Sequence, residues 1–122
     1  MSGPQDLAIA AARAASSKQA QDVVILDMHD LIGITDYFVI ASGSTDRQVK
    51  TVADEVERVL LEDRRAKPLR REGVREGHWV LLDFADIVVH VFRNEDREYY
   101  RLERLWADAP VVEWEPPAVS SG

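Results

Sequence analysis

The chain has 122 residues, a net charge of −7 at neutral pH and no cysteine. That length suits one domain burying roughly two thirds of the surface its unfolded chain exposes, and the missing thiols exclude a disulfide framework, a thiolate zinc site and thiol nucleophiles. The acidic balance argues against binding nucleic acid chiefly by neutralising phosphates, and favours a basic protein as partner.

The N-terminus lacks the basic-then-apolar layout of a signal peptide, and no apolar run approaches the ~20 residues that span a bilayer, so a cytoplasmic location without membrane contact is expected. Residues 5–16 (QDLAIAAARAAS) place Leu7, Ala10, Ala11 and Ala14 at helical spacing and predict a packing helix. Val23 to Met28 and Tyr37 to Ser42 are short runs rich in β-branched and aromatic residues, read as two neighbouring strands. Beyond Gly43-Ser44, Thr45 can cap a helix and Gln48 can bond back to it. Val49, Val52, Ala53, Val56, Val59 and Leu60 then follow an i, i+3, i+4, i+7 stripe, with Asp54, Glu55, Glu57 and Arg58 on the wet face.

Pro68 closes that region, and Leu69 to Val74 reads as a third strand too polar to be central. Residues 64–76 carry a net +4 against −11 elsewhere, through Arg64, Arg65, Lys67, Arg70, Arg71 and Arg75. A solvated edge strand guarded by cations is the first reading of this stretch and an RNA contact the second. Trp79 to Phe84 and Asp86 to Phe92, the most apolar runs, form an antiparallel hairpin turning through Ala85 and should lie centrally. Asn94 can cap one last helix carrying Tyr99, Leu102, Leu105 and Trp106, which Pro110 stops. Residues 111–122 are expected to be a disordered tail after a single domain spanning 1–110. The fold class is α/β: a mixed sheet of about five strands packed with helices.

Gly43-Ser44, between a strand and a helix, resembles the opening of a nucleotidyltransferase site, where helix N-terminal amides hold phosphate. Such sites also need two carboxylates a residue apart on one strand to hold magnesium. Asp54 and Glu55 are adjacent and mid-helix instead, while Asp83 and Asp86 flank a turn that acidic residues commonly cap. A hydrolase triad fares no better. His90 sits in an apolar strand, as a packed histidine with one hydrogen bond satisfied would, and His29 and His78 read as surface residues at strand ends. No catalytic residue, cofactor, metal or small-molecule substrate is therefore expected. Trp79, Tyr99, Tyr100 and Trp106, with Asp83, Asp86 and Glu103, are groups that anchor protein interfaces, although Trp106 and one tyrosine serve equally well to close the core.

Asp36-Tyr37-Phe38-Val39-Ile40-Ala41-Ser42-Gly43-Ser44, Arg47-Gln48-Val49, Trp79-Val80-Leu81-Leu82-Asp83, Asp86-Ile87-Val88-Val89-His90-Val91-Phe92, Arg97-Glu98-Tyr99-Tyr100 and Leu102-Glu103-Arg104-Leu105-Trp106 resemble, in order and spacing, the ribosomal silencing factor (RsfS, or iojap) family. The resemblance covers about residues 5–110. It implies a nucleotidyltransferase-like fold without activity, binding to the large-subunit protein numbered fourteen, a steric block to the small subunit, and repression of translation in starvation or stationary phase. By position it carries the binding role onto Trp79, Leu81, Asp83, Asp86, Tyr99, Tyr100 and Glu103. Some members pair as homodimers. One departure is Ala85, where the family usually has glycine; if the position needs positive φ, alanine costs about 1 kcal/mol and the turn at Asp86 is in question.

Overall fold

A computed structural model describes residues 3–116 apart from positions 32 and 34. Along the chain run α1 (Pro4–Ser17), β1 (Gln21–Asp27), β2 (Tyr37–Gly43), α2 (Asp46–Arg64), β3 (Arg70–Glu72), β4 (Trp79–Asp83), β5 (Ile87–Arg93), α3 (Asn94–Tyr100), α4 (Leu102–Leu105) and β6 (Val111–Val112). One sheet takes the order β3-β4-β5-β2-β1-β6. The β2–β5 pair is parallel and every other pairing antiparallel. Among the described residues no helix is long and apolar enough to cross a membrane.

The helical layer follows from the sequence patterns. In α1 the buried side chains are Ala8, Ala11, Ala12, Ala14 and Ala15, so small that the helix lies close against the sheet. In α2 the apolar stripe Val49, Val52, Ala53, Val56 and Leu60 is buried as expected. Thr45 caps this helix, its hydroxyl accepting the Gln48 amide at 3.1 Å. At the other end Arg65 adopts a left-handed conformation (φ 57°), and the Arg65 and Ala66 amides bond the carbonyls of Leu61 and Leu60, closing the helix before Pro68. Both helices cover one face, against Val39, Ala41, Val80, Leu82, Val89 and Val91.

The opposite face holds a smaller cluster of Leu26, Met28, Phe38, Ile40, Phe92, Leu102 and Ala109. Its cover is the segment expected to be one helix. That helix breaks at Arg101 (φ 47°, ψ 58°) into α3 and α4. Arg97 explains the corner: its guanidinium donates to Glu103 at 2.8 and 3.1 Å and to Ser42 Oγ at 3.1 Å, a closure that the turned chain permits and that seats Leu102 in the cluster. Asn94 is the first helical residue rather than the cap; Arg93 holds the cap position, without a side-chain bond.

Three further expectations are corrected. The sheet has six strands, because Val111 and Val112 pair with Leu26 and Ile25 at the open edge of β1. The Pro110 carbonyl accepts the Asp27 amide at 2.8 Å and the Trp114 indole donates to the Val23 carbonyl at 3.3 Å, so residues 111–116 are not a loose tail; 117–122 lie outside the described residues. Of the hairpin only β5 is central, since β4 has just the three-residue β3 beyond it and is covered on one face. Gly73, at φ +73°, is required where that edge folds over: a Cβ there would lie 1.9 Å from the Trp79 carbonyl oxygen.

The hairpin turn bears out the concern over Ala85, which sits at φ 73°. Around it the Asp83 carboxylate accepts the Ala85 amide at 2.8 Å and the Ile87 carbonyl accepts the Phe84 amide at 2.9 Å, holding the turn in shape despite the strain. Ala85→Gly should therefore stabilise the protein by about 1 kcal/mol, net of the extra freedom glycine has when unfolded, raising Tm by roughly 4 °C. A calorimetric scan checks this, and an unchanged or lower Tm would show that the turn carries no strain.

Candidate interaction surface

The open face of the sheet brings together most of the residues that the sequence proposed for an interface. Strand alternation puts Trp79, Leu81 and Asp83 on it together, and hairpin register sets them opposite Phe92, His90 and Val88. All three are half-buried. Trp79 stacks on Phe92 with centroids 4.8 Å apart and meets Tyr100 at 4.7 Å, and Tyr100 meets Tyr99 edge-on at 5.0 Å. This aromatic row ends in solvent, where Tyr99 is 80% and Tyr100 48% exposed.

The acidic members divide. Asp83 sits at the far end of β4 from Trp79 and accepts from Arg70 at 3.3 Å as well as from the Ala85 amide. Asp86 is exposed, and its carbonyl accepts the amides of Asp36 (2.9 Å) and Tyr37 (3.3 Å), so its backbone aligns the start of β2 while its carboxylate faces solvent. Glu103 is not brought to the aromatic row. Its carboxylate holds Arg97 over Ser42 and Gln21, on the flank by the ends of β1 and β2. Trp106, left open between core and interface by the sequence, packs against the second cluster and touches Phe38 edge-on at 6.4 Å.

His90 is the packed histidine the sequence suggested, with one hydrogen bond: Nδ1 accepts the Trp79 indole N–H at 3.1 Å. It is only 4% exposed, and burial pushes its pKa down to about 4, so the ring is neutral near pH 7. That bond fixes the indole over the sheet. Phe38, Val88, Thr35, Leu69 and Arg70, none of them foreseen at this site, line a hollow of about 290 Å³ beside Leu81 and Asp83. Alternation along β4 and β5, once their register is known, puts Val88 and His90 on the face of Leu81, whereas Thr35 and Leu69 come from loops and carry no such signal.

The strand–helix junction at Gly43-Ser44 is filled from within. Gln48 Oε1 accepts the Ser44 amide at 2.8 Å and the Ser44 hydroxyl at 3.1 Å, and its Nε2 donates to the Gln19 carbonyl at 3.1 Å. A side-chain amide thus takes the place in which a phosphate would sit on such a junction. Asp54 is exposed mid-helix, and Glu55 is engaged by Arg58 at 2.8 Å. In the basic stretch Arg71 pairs with Glu57 at 2.7 Å and Arg70 with Asp83. Arg64, Arg65, Lys67 and Arg75 are exposed, with no carboxylate partner among the described residues.

Burial of neutral His90 links stability to pH. The unfolded chain takes up a proton there below about pH 6.5, whereas the folded ring resists until about 4, so this contribution is complete above pH 6.5 and is lost as pH falls to about 4. His90→Asn, which keeps an acceptor for the Trp79 indole, should flatten the acid side of the stability curve by up to about 3 kcal/mol relative to the native chain. Urea melts across that range measure it; parallel curves for the two proteins would contradict a buried neutral histidine.

Comparison with known proteins gives the arrangement its lineage. Residues 2–121 match a family model described as "Ribosomal silencing factor during starvation". Ribosomal silencing factor RsfS of Halalkalibacterium halodurans is 41% identical over 111 residues, covering 91% of this chain and 94% of the relative. RsfS of Bacillus subtilis is 42% identical over 103 residues, covering 84% and 86%. A crystal structure of a Chromobacterium violaceum protein superimposes with a TM-score of 0.83 at 30% identity, covering 99% of this chain and 95% of that one. With nearly its whole length matched, the chain belongs to the ribosomal silencing factor family.

Proposed function

We propose that the protein docks through the open sheet face on the large ribosomal subunit, at its protein numbered fourteen, and occupies space that the small subunit needs, repressing translation in starved or stationary-phase cells. The observation that carries this reading is the row Tyr99–Tyr100–Trp79–Leu81–Asp83 on an uncovered sheet face of an acidic protein. Exposed aromatics with a fixed indole give a partner large, rigid contact area, and acidic groups at the margin suit a basic ribosomal protein. Trp79, Leu81, Tyr99 and Tyr100 make the apolar contact, Asp86 faces the partner's cations, and Asp83, held by Arg70, borders the contact. Glu103 acts through Arg97, keeping the α3–α4 corner in place. Arg64, Arg65, Lys67 and Arg75 are exposed and assist against ribosomal RNA once the protein has docked. The reading places the protein in the cytoplasm and asks no catalysis of it, in keeping with a Gly43-Ser44 junction that Gln48 fills. A homodimer would bury the same aromatic face, and so competes with docking.

Purified subunits mixed with saturating protein should fail to join in a sucrose gradient. Tyr99→Ala, on a side chain that the fold does not use, and Asp83→Lys should both weaken binding to large subunits, and Trp79→Ala should cost about 2 kcal/mol or more. Normal joining at saturation would refute the blocking role, and unchanged affinity in all three variants would move the interface off this face.

A further inference from the structure

The hollow beside Leu81 has a feature that packing alone does not explain. Hairpin register puts Leu81 opposite His90 and Asp83 opposite Val88, and the parallel pairing sets Phe38 beside Val88. With Thr35, Leu69, Arg70 and Ala85 these residues enclose about 290 Å³. Two buried side-chain atoms lack a hydrogen-bond partner among the described residues, His90 Nε2 and Thr35 Oγ1, and both belong to residues lining this hollow. Because His90 Nδ1 accepts the Trp79 indole N–H, the proton of the neutral ring is on Nε2, which is therefore a donor without an acceptor. Thr35, 6% exposed, adds a hydroxyl that can also donate. Buried polar groups left unpaired are a standing cost to the free protein, and valine in place of Thr35 would fill the same shape without it.

The walls say what would satisfy them. Phe38, Leu69, Leu81, Ala85 and Val88 call for an apolar stem. At the rim Arg70 and Asp83 neutralise each other at 3.3 Å. A carboxylate or phosphate would meet the Asp83 carboxylate and find Arg70 engaged; an ammonium would offer His90 no acceptor. We propose that this hollow seats one uncharged, hydrogen-bond-accepting group of a protein partner, a hydroxyl or amide side chain or a protruding main-chain carbonyl, with His90 and Thr35 as its donors. This rests on the docking reading above and adds to it the point that selects the partner: the aromatic row supplies area, and the hollow checks identity, since a partner group without an acceptor would leave both donors unpaired.

Thr35→Val and His90→Asn separate this role from a structural one. The first removes the hydroxyl at equal shape; the second keeps an acceptor for Trp79 and takes the donor away from the Nε2 position, which the shorter amide does not reach. In the full-length protein, Thr35→Val should leave Tm unchanged or raised while affinity for purified large subunits falls about tenfold, and His90→Asn should lose a similar factor. Affinities equal to the native chain in both would overturn the proposal, as would an equal loss of binding to protein-free large-subunit RNA, which would make the occupant a nucleotide. If the native protein fails to bind large subunits at all, the docking reading falls and a second measurement decides the hollow. N-methylacetamide, a neutral acceptor on a small apolar body, should saturably shift the NMR signals of His90 Nε2–H and the Thr35 methyl in the native protein, and not the Thr35 methyl in His90→Asn. No shift at high probe concentration would end the proposal.

Discussion

Parallel pairing of β2 with β5 is the constraint on which the rest of the molecule depends. Every residue of β2 is buried, and its register with β5 runs unbroken from Tyr37–Ile87 to Gly43–Arg93. A parallel pair cannot be joined by a tight turn, so the chain must leave through α2, add β3 and β4, and return. Both strands then end on the same side of the sheet, where α2 and α3 begin. The helices this produces are unequal. Two long ones cover one face, while the other receives only α3 and α4, of seven and four residues. The uncovered part of the second face, over β4 and its neighbours, exists because the connection used its long helix on the opposite side.

That imbalance leaves ordinary strand residues on an open sheet face. Trp79, Leu81 and Asp83 alternate with Val80 and Leu82, which are fully buried under the helices. The outward set is stabilised by its own contacts: the indole stacked on Phe92, its N–H on His90, the Asp83 carboxylate tying the turn and Arg70. Such fixing lowers the rotamer entropy lost when a partner covers the face, so area converts more fully into affinity. The strained left-handed Ala85 lines the same hollow as Thr35 and His90, whose Oγ1 and Nε2 lack a partner among the described residues.

The same topology brings a strand–helix junction to Gly43-Ser44, the kind of place where related architectures hold phosphate. Here the Gln48 amide occupies the Ser44 N–H, and the nearby acidic side chains belong to ion pairs: Asp46 and Asp96 with Arg93, Glu103 with Arg97. These contacts brace helix starts against strand ends.

Much of this was legible in the chain itself, and the boundary of legibility has a physical basis. The stripe from Val49 to Leu60, the alternation through Trp79 to Asp83, the capping Thr45 and the family blocks are local or in-order signals, and each survives folding because its period of 3.6 or 2 residues is set by backbone geometry. Ala85 was marked as the doubtful position, and its positive φ agrees. What the sequence could not determine depends on groups far apart in the chain. Val111 and Val112 are too short a run to announce a strand until the edge of β1, more than eighty residues earlier, offers its hydrogen bonds. The break at Arg101 needs Arg97 to find Ser42 and Glu103 together. The neutral His90, its unpaired nitrogen and the hollow it lines come from four strands and three connecting segments meeting, because burial, and with it charge state and hydrogen-bond need, is a property of what surrounds a side chain and not of its identity.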